Sequence, residues 1–328
     1  MGLTLRRGRV SAVVERHDGL VRVEVDGVPC VAYPDVTGPV ALEDDVLVNV
    51  QARELRLGSG GFDVLYANLT RGLELPAAEG AHVMKLPYTP LQFAARHAEE
   101  DGPVAELLEE MPVVCCSLHS QLAPVCAALG GMRVVYLQLP GGALPVALSD
   151  AVRELRGRGL VEAAIGVGAC FGGDVDCVNA YSALAWAKSR RADVAVCAIG
   201  PGIVGTGARL GHGGMAAADA LNAAAELGGT PILALRLSDA DPRPRHRGVS
   251  HHTDAILSLW GATVVHPWPE GCPIEHPIAE GADIVDVSGW REACDGLPLS
   301  HMGRGPDDDP WFFAAAFAAG VAARRLAD

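Results

Sequence analysis

Two adjacent histidines, His251 and His252, follow Ser250 and precede Thr253 and Asp254. Ser250 reads as the N-cap of a helix over residues 251–260, because its hydroxyl can accept from the unpaired N–H groups of the first turn. An imidazole at that end feels the positive pole of the helix dipole, which favours the neutral ring. A neutral imidazole is a base or a metal ligand at pH 7. Successive helical residues point about 100° apart, so one histidine is expected to face a site and the other to support it.

Just upstream lie Asp239, Asp241, Arg243, Arg245, His246 and Arg247. Three arginines alternating with Pro244 and His246 make a stiff loop that can grip a carboxylate or phosphate in bidentate fashion. The plainer reading pairs them with the protein's own carboxylates. Asp239 and Asp241, together with His119, His251 or His252, could orient a histidine base or complete an oxygen-and-nitrogen metal set. No spacing here has the force of a zinc-protease motif. The sequence names no cofactor; a divalent metal suits these residues better than NAD(P).

The glycine segments are the second source of chemistry. Gly200, Gly202, Gly205, Thr206 and Gly207 make the best anion cradle, since glycines let backbone N–H groups converge on an oxyanion and a helix beginning near Gly213 adds its dipole. The segment also has the outline of a dinucleotide fingerprint. Its helix starts late, however, and Asp239 is farther away than the usual acid. It is no P-loop, because no Lys-Ser/Thr follows. The alternative is a tight turn under helix–sheet contact. Gly172, Gly173 and Asp174 make a further loop, with Asp174 and Asp176 expected to open a helix over residues 174–190 as caps first and catalysts second. His119-Ser120 places a nucleophile beside a base, but sequence neighbours seldom have triad geometry. Cys115-Cys116 reads as the end of a buried strand.

These residues need a frame. Residues 8 to about 70 alternate in the β manner, as in Val21, Val23, Val25 and in Val46, Val48, Val50, with Asp-Gly turns at 18–19 and 26–27. From 111 the rhythm is strand, loop, helix. Strands are expected at 112–116, 133–138, 163–168, 193–199, 231–237 and 262–266, and helices at 147–157, 174–190, 213–227 and 251–260. Most of the strands are continuous apolar runs, the mark of burial on both faces. A closing helix runs from Pro310 to about Leu326. The fold class expected is therefore α/β: a mostly parallel three-layer αβα sheet domain (111–328) preceded by a small all-β, barrel-like N-terminal domain (1–75), with a connector containing a helix (76–110, helical from Leu91 to Glu110). Every loop singled out above follows a strand's C-terminal end. In a parallel sheet those ends share one edge, where ligands of open α/β sheets bind.

Composition narrows the partners. The chain has 328 residues, 49% hydrophobic and 20% charged, with a net charge of −14. An acidic chain repels phosphate backbones and anionic lipid, so neither nucleic acid nor a membrane surface is expected as a partner. No signal peptide is read at the start, and the greasy stretch from Trp311 to Ala323 is shorter than the roughly 20 residues of a membrane span. Nine cysteines, with no CxxC pair, point to a reducing, cytoplasmic setting.

Four motifs in fixed order, GGALP at 141–145, FGGD at 171–174, GPGIVGTG at 200–207 and RHRGVSHHT at 245–253, resemble a bacterial family known as domain-of-unknown-function family 3866. The likeness runs from the N-terminal β region through about residue 270. It implies no activity, so no catalytic role is carried over. The family tends to have Thr-Asp where this chain has Leu139-Pro140, and a polar residue where it has Ala169. Those departures argue against an essential acid or base from the second and third loops.

The reading that follows is a cytoplasmic enzyme acting on a small anionic metabolite, with a homodimer as the base-rate assembly. The alternatives are a nucleotide or dinucleotide enzyme, a non-catalytic ligand sensor, and a structural subunit.

Overall fold

The computed structural model describes residues 2–57, 60–71, 74–76, 79–259 and 264–328. Alternation of Val21, Val23 and Val25 puts one face of each early strand inward. Strands β1 (Leu5–His17), β2 (Leu20–Val25), β3 (Val28–Ala32), β4 (Asp45–Asn49) and β5 (Asp63–Asn68) close into a barrel of order β1-β2-β3-β5-β4. Asp26 and Gly27 have φ of 49° and 76°, the left-handed pair that a two-residue hairpin demands. Val10, Val23, Cys30, Val46, Val48 and Leu65 fill the interior. Short helices α1 (Pro34–Thr37) and α2 (Gln51–Glu54) join the strands. Asp44 braces the barrel: its buried carboxylate accepts from the Ala41 N–H, Asn68 Nδ2 and Arg71 Nε, each at 2.8 Å. Burial pushes this carboxyl upward, but the three donors outweigh it and hold it below the ordinary carboxylate range.

The chain divides into two units, Met1–Arg96 and His97–Asp328. The helix expected over 91–110 does not form. Phe93–Ala95 is instead strand β7, paired with β6 (Val83–Lys85), and only a single 3₁₀ turn, Ala98–Glu100, follows. Gly102-Pro103 interrupts any helical ladder there. Leu108, fully buried within the second unit, donates its N–H to the Leu227 carbonyl at 2.7 Å.

The second unit is the αβα layer structure. Strands β8 (Pro112–Cys116), β9 (Val134–Leu139), β10 (Ala163–Val167), β11 (Val175–Cys177), β12 (Val194–Ile199) and β13 (Thr230–Ala234) form one sheet of order β11-β10-β9-β12-β8-β13, parallel throughout. Its apolar runs are buried on both faces. One face carries α3 (Leu122–Ala128), α4 (Asp150–Gly157), α8 (Trp290–Ala293) and α9 (Pro310–Ala327). The other carries α5 (Ala180–Ser189), α6 (Ala216–Glu226) and α7 (His251–Ser258). The two-residue pair β14 (Leu237–Ser238) and β15 (Gly248–Val249), and the parallel pair β16 (Pro267–Pro269) and β17 (Asp283–Val285), extend the unit. Among the described residues no helix is long and apolar enough to cross a membrane.

Two expectations need correction. The helix expected over 174–190 begins only at Ala180, capped by Asn179, because Val175–Cys177 pairs with β10 as the sheet's edge strand. Of the strand expected over 262–266, residues 262–263 lie outside the described residues; among the rest, Val265 forms a parallel bridge with Ile232.

The order of strands sets the site. β8 leads into α3 on one face, while its neighbour β12 leads into α6 on the other. The carboxyl ends of β8 and β12 thus flank a point where successive connections part to opposite faces, the usual seat of a ligand in such a sheet.

Candidate functional site

A cavity of about 260 Å³ opens there. His119 and Ser120 line it after β8, Gly200 to Ile203 after β12, and Ser300 and His301 from the loop before α9. Gln121 fixes the first of these loops. Its Oε1 accepts from the Leu118 N–H at 3.1 Å, and its Nε2 donates to the carbonyls of Ala234 and Leu235, both at 3.0 Å.

His119 is held at both nitrogens. Nδ1 donates to the Ile199 carbonyl at 3.1 Å, so Nε2 must accept, and it does so from the Ser149 hydroxyl at 2.7 Å. Burial pushes the ring down to about 4, so it is neutral at pH 7. Neither nitrogen is available to Asp239 or Asp241. His301 stacks on Phe312 at 3.9 Å. Its Nε2 lies 3.4 Å from Arg236 Nη2, which can only donate, so Nδ1 carries the proton and donates to Ser120 Oγ at 3.2 Å. In that tautomer His301 cannot take a proton from Ser120, and the pair is no activated nucleophile.

The glycines serve chain contact more than they serve a cradle. A Cβ on Gly200 would lie 2.0 Å from the Ala143 carbonyl oxygen, one on Gly142 2.1 Å from that of Gly200, and one on Gly213 1.9 Å from that of Gly141. The Val204 N–H donates to Gly141, that of Gly213 to Val204, and that of Thr206 to Gly211. Besides those of Gly205 and Gly207, the donors left in the segment are the neighbouring N–H groups of Gly202, at φ +74°, and Ile203. Both residues line the cavity, and among the described residues neither N–H donates to a protein acceptor. Gly205 and Thr206 bridge back to His212 and Gly211, away from the cavity lining, and Gly207 supplies a turn at φ +86°. Gly173 fits between the backbones of β10 and β11, and Gly172 turns at φ +74°. Asp174 opens no helix; its carboxylate accepts from the Ala164 N–H and pairs with Arg156.

The second half of the site is a knot of imidazoles. His212 stacks on His252 at 3.7 Å between centroids, His251 stands 4.6 Å from His252 and 5.6 Å from His212, and His246 lies 4.8 Å from His251. Ser250 caps α7 as expected, accepting from the His252 N–H, and also meets His246 Nδ1 at 2.8 Å. Burial is the main force lowering all four rings. It acts with Arg236 to push His252 down to about 2, and with Arg236 and Arg243 to push His246 down to about 3. His212 and His251 are lowered as well, opposed by the Arg209 backbone in one and by Asp254 in the other. His212, His251 and His252 are close enough to share a metal ion. The third ring, His212, comes from another loop and lies against both histidines of α7.

Arg236 joins the two halves. Its side chain is 3% exposed. Nη1 donates to His252 Nδ1 at 3.1 Å and Nη2 to His301 Nε2. Burial draws it down to about 9, still charged at pH 7. Behind it, Asp241 is fully buried and accepts from Arg243 at 2.8 Å and Arg304 at 3.0 Å, which hold it well below the usual carboxylate range against its own burial. Asp241 is therefore an ion-pair anchor, not a histidine orienter, and Arg243 is engaged by the protein itself. Asp239, Arg245 and Arg247 are exposed.

A family model described as protein of unknown function (DUF3866) matches residues 29–320. The chain belongs to the DUF3866 family. The match extends well past residue 270, so the DUF3866 region takes in His301, Arg304 and most of α9 along with the glycine and histidine loops. No curated protein matches the sequence. Sequence reading overlooked four residues of this DUF3866 site: Ser149, His212, Arg236 and His301. Arg236 carried a signal, as the sole charge in the apolar run Pro231–Leu237, and so did His212, set among glycines just after the cradle motif. Ser149 and His301 carried none.

Proposed function

We propose that the protein is an enzyme whose substrate is a small carboxylate- or phosphate-bearing metabolite, bound in the cavity over the carboxyl ends of β8 and β12. One observation carries the reading: two consecutive backbone N–H groups, of Gly202 and Ile203, remain without acceptors in a cavity that Ser120, Ser300 and His301 also line. Neighbouring N–H groups in such a turn make a natural anion nest. Arg236 behind His301 adds positive charge. All nine cysteines are unbridged, which supports a reducing, cytoplasmic setting.

A thermal-shift panel of small carboxylates, sugar phosphates and nucleotides tests the reading. A ligand at a hundred times its Kd should add about 2.7 kcal/mol. No response to any anion in the panel would sink it. Because Ser120 is not activated in this tautomer, a non-catalytic ligand sensor is the second reading; a stabilising anion that is never turned over would favour it. The dinucleotide reading gains no support beyond the glycine spacing, since Gly200, Pro201 and Val204 are engaged with residues 141–143 and Gly205 and Thr206 with residues 211–212.

A further inference from the structure

We propose that His212, His251 and His252 form a three-nitrogen site for a borderline divalent cation of the zinc and cobalt kind, with a fourth coordination position left open. Candidate ligand atoms of the three rings lie within 4.8 Å of one another. Among the described residues, the buried nitrogens of His212 and Nε2 of His251 have no partner in good hydrogen-bond geometry, although the Arg209 backbone lies near the His212 ring. Buried polar atoms are rarely left so, and here three fall in two neighbouring rings. Imidazole nitrogen selects zinc, cobalt, nickel or copper, whereas magnesium and calcium take oxygen. The set holds no carboxylate, so the ion keeps its full charge, and an anion is the natural fourth ligand. Three protein ligands with one open position is the pattern of a catalytic zinc site rather than a structural one.

Binding asks for two movements. At a zinc–nitrogen distance of about 2.0–2.1 Å, tetrahedral nitrogens sit about 3.4 Å apart, so the rings must close in and the His212–His252 stack must open. His252 Nδ1 accepts from Arg236 at 3.1 Å, so this ring either ligates through Nε2 with loss of its proton or leaves Arg236 and ligates through Nδ1. Arg236 also places a positive charge beside the ion. That disfavours a hard cation held by field alone and leaves one held by nitrogen donation. The site shares no ligand with the anion cavity, so the two readings can fail separately.

The test uses the full chain, stripped with a chelator and titrated with Co²⁺ and then Zn²⁺. The expected result is one equivalent of Co²⁺ with the visible bands of a low-coordinate ion, displaced by Zn²⁺ and not by excess Mg²⁺. His212→Ala and His251→Ala should each weaken Zn²⁺ by more than the roughly 100-fold that loss of a supporting residue causes. X-ray absorption of the wild-type zinc complex, which needs no variant to fold, should count three imidazole rings around the metal. Absence of one-to-one binding, equal competition by Mg²⁺, affinity unchanged in both variants, or fewer than two imidazoles at the metal would each overturn the proposal.

Discussion

Arg236 Nη1 stands 3.1 Å from Nδ1 of His252, and the other arm of the same guanidinium reaches His301 at 3.4 Å. One buried fork therefore sets the tautomer of a ring in the histidine knot and of a ring in the cavity wall. The two halves of the site are chemically joined although no histidine belongs to both.

Arg236→Lys keeps the charge and loses the fork. A lysine offers donors from a single point and cannot face two imidazoles in the same plane. The variant should lose about 1–3 kcal/mol of stability in urea denaturation, the cost of leaving buried acceptors unmatched. It should also lose whatever thermal shift an anion gives the wild type. A variant with full stability and full ligand response would mean that the fork is incidental.

Ser149 does two jobs. Its Oγ accepts from the Val152 N–H as the cap of α4 and donates to His119 Nε2 at 2.7 Å. Ser149→Ala should cost about 1–2 kcal/mol for the cap alone and somewhat more for the stranded imidazole nitrogen. Ser149→Thr, which keeps the hydroxyl, should recover most of the loss. Denaturation midpoints of the two variants decide it.

Gly213 and Gly157 make a matched pair. A methyl group at 213 would sit 1.9 Å from the Gly141 oxygen, while among the described residues nothing beyond its chain neighbours and own helix backbone lies within 4 Å of one at 157, the last residue of α4. Gly213→Ala should therefore cost about 3 kcal/mol or more, since backbone cannot yield as a side chain can. Gly157→Ala should be neutral or stabilise by up to about 1 kcal/mol. Equal melting temperatures for the two would remove the contact argument.

Asp44 makes the barrel sensitive to acid. Its folded-state affinity for protons is depressed by Arg71, Asn68 and Ala41, so its contribution is complete above the unfolded value of about 3.9 and falls away as pH drops through the folded one. Hydrogen exchange of the β2 and β4 amides, corrected for intrinsic rates, should show protection dropping below about pH 4. In Asp44→Asn protection should already be reduced at pH 7, with a flatter acid limb. An identical acid limb in both proteins would assign the effect elsewhere.

The barrel, the parallel sheet and the αβα layering were legible because their signals are local: period-two valines, Asp-Gly turns and unbroken apolar runs. The edge strand β11 was not, since three residues, Val175–Cys177, carry no period, and Asp176 with the preceding Asp174 resembles a helix start. At the site, the Ser250 cap and the clustering of loops at strand ends could be read from spacing. What could not be read was which polar groups would saturate one another. Asp241 had several arginines within reach in sequence or space, and only the fold shows that Arg243 and Arg304 bond it while Arg236 pairs with it more loosely at 3.6 Å. Arg245, which reads like Arg243 on paper, ends in solvent. The partnership of Arg236 with His301 spans 65 residues, beyond any spacing rule.

Loops after β9 and β12 and the lead-in to α6 touch main chain to main chain at residues 141–143, 200–201, 204 and 213. Side chains act as bearings when neighbouring segments slide, and few stand between these backbones, so a shift of one segment is expected to carry to the others. A ligand that nudges Gly202 would therefore pull on His212 with little slack, and a nudge at the imidazoles would return the same way. Natural variation or engineering that retunes one end of this set of contacts will be felt at the other, however far apart the altered residues stand in the chain.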